Sequence, residues 1–344
     1  MKRLAYFLLF LAFSCKETKV VVPDTFLTFR ANGEAAQVDN DGLFITLKLG
    51  EDALPSALKV DFTATGQATA EIGGIPLTPG STVDLSAFNE VVLKSADGRT
   101  RTYTLRKSSV FEDYGMGKIQ EKSGSLNRNY SFYLDQYGTG TWQYINCGPT
   151  VVTMALRWSD STFQRAVTDA RATFHPEGGW WYTNDIYDYL RKFGVTPAYS
   201  SLAASLSVEE YQAKLARILD NGNLAIVCLD MYYVRENPVP MERTHRFYTA
   251  GSKDWGHFLL VKGYKVIDGK MWLEVHDPYS IDKKYTSGQL KGERRYYDPA
   301  DIKTATDIWW PYAIVVPRKN SGTSARFRTE ESRVPAQKGR GFFR

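Results

Sequence analysis

Two strand-like runs joined by a tight-turn signal constrain this chain more than any other feature. Trp255-Gly256-His257-Phe258-Leu259-Leu260-Val261-Lys262-Gly263-Tyr264 is the first, and Met271-Trp272-Leu273-Glu274-Val275-His276, ending in Asp277-Pro278, is the second. Asp268-Gly269 lies between them, and an Asp-Gly pair is a strong signal for a two-residue hairpin turn. Folding the chain there brings the start of the first strand beside the end of the second. His257 and Asp277 then become neighbours, within a few residues of cross-strand register.

About a hundred residues upstream lies Asn146-Cys147-Gly148-Pro149-Thr150, followed by Val151-Val152-Thr153-Met154-Ala155-Leu156-Arg157-Trp158. Val151, Met154, Ala155 and Trp158 share one helical face. Pro149 suits a first helical turn, because its φ is pre-set and its missing N–H would have no partner there. Cys147 is thus placed at a helix N-terminus, where free N–H groups and the dipole favour a thiolate. By itself the segment reads equally well as a capping loop that contains a cysteine. Together with a histidine and an orienting aspartate on a hairpin, in that chain order, it supplies the parts of a nucleophilic site.

These motifs resemble the papain-like cysteine peptidases of the bacteriocin-processing, double-glycine type and their stand-alone relatives. The resemblance spans residues 127–317 and rests on Cys147-Gly148-Pro149, on Gly256-His257-Phe258-Leu259-Leu260-Val261 with Gly263-Tyr264, and on Asp277-Pro278. It implies Cys147 as nucleophile, His257 as general base and Asp277 as orienting carboxylate. It also implies a glutamine in the oxyanion hole, six residues before the cysteine, where this chain has Thr141. Gln136 follows a short strand-like run as the family's glutamine does, and two glycines in 137–141 let the chain loop out; Gln143 is the second choice. No cofactor is implied. The four histidines and three cysteines show no close metal-ligand spacing.

The amino terminus pairs Met1-Lys2-Arg3 with an apolar run, Leu4 to Phe13, too short for a stable membrane span. Ser14-Cys15 follows and resembles a bacterial lipobox, which makes 1–15 a lipoprotein signal peptide and Cys15 the lipidated residue. The expectation is an exported, membrane-anchored protein of the periplasm or cell surface, acting on a peptide or wall-peptide substrate. Two thiols are left, and in an exported protein they could form a disulfide. Cys228 sits in the apolar run Leu224-Ala225-Ile226-Val227-Cys228-Leu229, where a free cysteine serves as a small buried hydrophobe.

With 344 residues, 43% of them hydrophobic, the chain has material for two cores. The fold expected is multidomain: an all-β immunoglobulin-like sandwich over 24–107, a polar linker over 108–128, and an α+β papain-like domain over 129–317. Short strand-like runs between turn signals such as Asn40-Asp41-Gly42 and Asp97-Gly98 carry the first part. Its last hairpin resembles small immunoglobulin-like modules of bacterial surface lipoproteins. The formal charge of +5 gathers in a basic, disordered tail over 318–344, and no folded basic patch interleaved with aromatics points to nucleic acid.

Trp180 and Trp181, after Gly178-Gly179, and Trp255 are candidate substrate-binding residues, although a tryptophan at a helix entry is more often core. The aromatic loop 231–254 could overhang the cleft. His175 and His245 read as solvated loop residues, and alternation turns His276 to the face opposite Asp277. Two functions compete: a cysteine peptidase or amidase working through a thioester, and a surface-binding lipoprotein of the same fold without activity.

Overall fold

The computed structural model describes residues 23–319. The expected signal peptide with Cys15, and all but two residues of the expected tail, lie outside the described residues. Among the described residues, no helix is long and apolar enough to cross a membrane.

The amino-terminal part runs β1 (Phe26–Ala31), β2 (Glu34–Ala35), β3 (Gln37–Asp39), β4 (Phe44–Leu49) and β5 (Leu58–Ala64). It continues with β6 (Thr69–Ile72), β7 (Ile75–Leu77), β8 (Ser81–Val83), β9 (Glu90–Lys94) and β10 (Thr100–Ser109). The strands form two sheets, ordered β2-β1-β5-β8 and β3-β4-β10-β9-β6-β7. Pairing is antiparallel except between β4 and β10, which run parallel. Period-two alternation sends Phe29 and Ala31 of β1, Leu58 and Val60 of β5, and Tyr103 and Leu105 of β10 into one shared core, and an irregularity between Phe26 and Thr28 brings Phe26 to the same face. Phe26 meets the Phe29, Phe62 and Tyr103 rings edge-on at centroid distances of 5.0–5.7 Å, a favoured aromatic geometry.

The segment 108–128 is not a loose linker. The Ser109 side chain accepts from the Phe111 N–H and caps α1 (Val110–Asp113). Phe111 is fully buried against Met116, Ile267, Trp272 and Tyr296. After it, β11 (Gln120–Ser123) pairs antiparallel with a strand of the second unit. Phe111, Met116 and backbone pairing help dock a stretch whose other side chains are mostly polar.

The second unit contains α2 (Cys147–Ser159), α3 (Val167–Thr173), α4 (Thr183–Lys192), β12 (Ala198–Ser201), α5 (Val208–Asp220) and β13 (Leu224–Asp230). Next come β14 (Gly256–Ile267), β15 (Lys270–His276), β16 (Arg295–Tyr297), α6 (Pro299–Trp309) and β17 (Tyr312–Val316). The sheet order is β12-β17-β13-β14-β15-β16, with β11 also on β14, and every pairing is antiparallel. Leu224, Ile226 and Cys228 of β13 face a core shared with α2 to α4. Ala225, Val227 and Leu229 face a second core with α5 and α6. A sheet covered on both faces explains why these strands read as continuous apolar runs.

Asp268 and Gly269 both have positive φ (47° and 76°) and turn β14 into β15. Ser207 and Glu210 form the capping box that opens α5, at 3.2 and 2.7 Å. In α2 every residue but Arg157 is buried, not one face alone. The helix lies between the sheet and α3 and α4, so its polar positions, Thr150 and Thr153, are covered as well.

Candidate active site

Cys147 is the first residue of α2, and Thr150 N–H closes the first turn on Asn146 O. The N–H groups of Cys147 and Gly148 precede the helical ladder and have no acceptor within it. Asn146 does not cap the helix with its side chain. Its Nδ2 donates to Thr139 Oγ1 at 2.8 Å, and its Oδ1 accepts from Arg171 Nε at 2.8 Å. Arg171 also donates to Gly179 O (2.8 Å) and Ile145 O (3.1 Å), so one buried guanidinium from α3 clasps both loops around the start of α2. Gly148 is required by close packing, because a Cβ there would lie 2.6 Å from the Trp181 Cβ.

His257 is the second residue of β14, and Asp277 directly follows β15. His257 Nε2 lies 2.8 Å from Asp277 Oδ1. Asp277 takes Nε2, so Nδ1 is the ring nitrogen left over, and the Cys147 side chain is near enough to help raise the imidazole's pKa. The structure therefore brings Cys147, His257 and Asp277 together across a helix start and a hairpin end. Asp277 is fully buried and takes four donors. Besides His257, Oδ1 accepts from Tyr279 N–H (2.9 Å), and Oδ2 accepts from the hydroxyls of Tyr248 (2.9 Å) and Tyr297 (2.7 Å). Behind it, Tyr133 donates to the Asp277 carbonyl at 2.8 Å, and Asp277 N–H donates to Gly292 O at 2.9 Å.

Burial pulls the His257 imidazole toward its neutral form, but the Asp277 carboxylate and the Cys147 sulfur together outweigh it, and its pKa is pushed up to about 10. Burial likewise pushes the Asp277 carboxyl up. The His257 charge, its hydrogen bond, and the Tyr279 and Tyr297 donors reverse this and hold the group below the usual aspartate value.

Gln136 is buried between the two halves of the site. Its N–H donates to Pro278 O at 2.8 Å, and its Nε2 donates to Gln143 O at 2.9 Å, four residues before Cys147. Its Oε1 is buried without a hydrogen-bond partner. The Gln143 side chain faces away into its own loop, where Oε1 accepts from Gly138 N–H at 2.7 Å.

Trp181 is not a cleft wall. Its ring is buried among Phe174 and Tyr189, and its Nε1 donates to Phe174 O. The glycines before it let the chain turn inward, and the apolar face of α4 holds the ring. Trp180 is half-buried. Trp255, also half-buried, lies beside Tyr248 and Tyr279, whose rings in turn lie 6.5 and 6.2 Å from that of His257. His245 is not solvated: it is buried, 5.5 Å from the Trp272 ring, with Nδ1 3.3 Å from Asp301. His175, partly exposed, pairs with Asp185 at 3.1 Å. His276 packs edge-on against Phe132 and Tyr133. Cys147 and Cys228 are not joined in a disulfide, and Cys228 is fully buried opposite Phe258.

Arg171, Tyr248, Gly292 and Tyr297 carry no local sequence signal for their places here. Tyr248 belongs to the aromatic loop expected to overhang the cleft, yet it points inward. No family model and no curated protein matches the chain. Among solved structures, one described as "a putative glycoside hydrolase" from Bacteroides thetaiotaomicron matches over 85% of this chain and 88% of its own, at 12% identity and a TM-score of 0.21. That likeness is too low to bear on fold or activity.

Proposed function

We propose that this protein is a cysteine hydrolase of papain-like type, cleaving peptide or amide bonds through Cys147, His257 and Asp277. The observation that carries the reading is the pairing of His257 Nε2 with Asp277 at 2.8 Å beside the Cys147 side chain, which leaves Nδ1 for the sulfur. In this reading His257 and Cys147 act as an imidazolium–thiolate pair. The sulfur attacks the carbonyl carbon, and the carbonyl oxygen becomes an oxyanion held by the Cys147 N–H and by Gln136 Nε2. Collapse breaks the C–N bond as the imidazolium gives its proton to the departing amine, leaving a thioester. Water, losing a proton to the now neutral imidazole, then releases the acid and restores the pair. An exported peptide or wall peptide is the substrate class, in keeping with the lipobox-like start.

The second reading, a binding protein without turnover, draws on Gln136, whose amide is engaged by Gln143 and whose oxygen is buried and unmatched. Alkylation by iodoacetamide at pH 6, read as intact mass, separates the two. The hydrolase reading expects fast modification confined to Cys147, slowed at least tenfold in His257→Ala. Equal, slow modification of both proteins would leave the binding reading standing.

A further inference from the structure

We propose that Tyr248 and Tyr297 are positioning residues that lock the Asp277 carboxylate in line with His257. The proposal rests on the hydrolase reading of the site, but it is argued from the contacts of Asp277 alone. An ionised carboxylate only accepts hydrogen bonds. His257 and Tyr279 N–H occupy Oδ1, so without the tyrosines Oδ2 would be a buried anionic oxygen with no donor. It would be costly to keep, and the carboxylate would be free to turn away from the imidazole. Two hydroxyls on Oδ2, at 2.9 and 2.7 Å, remove both problems.

The tyrosines come from separate pieces of chain that are stitched together. Tyr297 lies on β16, and Tyr248 on the loop beside it. His245 N–H donates to Tyr296 O at 2.8 Å, and Tyr296 N–H donates to Arg243 O at 2.9 Å. Arg295, fully buried, donates to Thr244 O and His245 O. Arg246 donates to Val234 O at 2.7 Å and also to Tyr248 O. This frame fixes the backbone from which both hydroxyls project.

Charged and titratable groups approach from several elements. His257 from β14 faces Asp277 directly. Arg246 acts on Tyr248, and Arg295 and Tyr285 act on Tyr297. Asp135 and Glu293 act on Tyr133, whose hydroxyl contacts the Asp277 carbonyl.

Tyr248→Phe, Tyr297→Phe and the double variant keep the rings and delete the donors. Two readouts are needed: the pH dependence of Cys147 alkylation by iodoacetamide, and the ¹⁵N signals of the His257 ring. Without the donors the Asp277 carboxylate no longer holds the imidazolium that partners the sulfur, so the acid limb of alkylation should move up by about one pH unit in the double variant. That is about a tenfold slower rate on the slope. The His257 Nε2 signal should show a weakened bond at neutral pH. An unchanged acid limb together with unchanged ring signals, whatever happens to Tm, would make the tyrosines packing residues and overturn the proposal. Failure of the hydrolase reading looks different: alkylation of the wild type would not respond to His257→Ala, while the ring signals would still decide whether the tyrosines position the carboxylate.

Discussion

His257 is buried, yet it is held in its charged form, and that makes its pH behaviour specific. Its folded pKa of about 10 lies above the ordinary 6.5, so the stabilisation it contributes is complete below about 6.5 and is lost as pH rises through 10. Chemical unfolding of the wild type should therefore show stability falling between about pH 7 and pH 10, and His257→Gln should lack that fall. Turnover should share the alkaline limit, because a neutral imidazole cannot protonate the leaving amine. Gln136 gives a second test. Only one of its two Nε2 hydrogens is used by Gln143, so the other is available to an oxyanion. Gln136→Ala should lower kcat by about 10²–10³ with Cys147 alkylation nearly unchanged. Gln143→Ala should cost little, since its side chain only holds Gly138 N–H. Reversed effects in steady-state kinetics would exchange the two roles.

At the scale of elements, the start of α2 is fixed by a glycine that leaves room for a tryptophan. In Gly148→Ala the new Cβ would lie 2.6 Å from the Trp181 Cβ and 3.2 Å from its Cγ, atoms close to the backbone of a buried residue. The helix start must shift, at a cost of about 1–3 kcal/mol. Cys147 shifts with it, so denaturant unfolding and the alkylation rate should fall together; loss of stability with an unchanged rate would mean the nucleophile is placed by other contacts. The hairpin that sets His257 beside Asp277 was legible because Asp268-Gly269 writes its turn into the sequence, and α5 because Ser207 and Glu210 write its cap. The cap of α6 is written just as plainly in Asp298-Pro299, where Asp298 accepts from Ala300 N–H. Other elements had no such mark. β11 is Gln-Glu-Lys-Ser, a polar stretch that becomes a strand only because β14 offers it a partner, and β16 is three residues long. The Tyr248–Asp277–Tyr297 convergence joins residues 29 and 20 apart along the chain, and no local pattern encodes it.

Across the whole molecule, the sandwich and the second sheet meet through charge as well as through Phe111. Glu51, just past β4, accepts from Tyr114 at 2.6 Å and from Arg294 at 2.5 Å, with Arg243 at 3.5 Å. Lys265 donates to the Glu51 carbonyl at 3.0 Å. Glu51→Ala would leave Arg243 and Arg294 partly buried without their carboxylate. Complete burial would cost about 3–5 kcal/mol, and the solvent that reaches Arg294 reduces this to roughly 1–3 kcal/mol. Calorimetry should show one cooperative transition for the wild type, and in Glu51→Ala a lower Tm or two resolved transitions. A variant with the wild-type Tm would mean that the ion cluster contributes nothing to the junction.

The docking of α1 and β11 also bears on reach. A catalytic unit on a slack tether sweeps a volume, and its range is decided by the length of the tether. Here the chain between the two units is pinned by Phe111 and by the pairing of β11 with β14, so Cys147, His257 and Asp277 stand at a set height and heading above the amino-terminal strands. For the hydrolase proposed above, a scissile bond would have to be presented at that stand-off, and lengthening the turn at Gly117 should change which bonds come within range before it changes how fast any bond is cut.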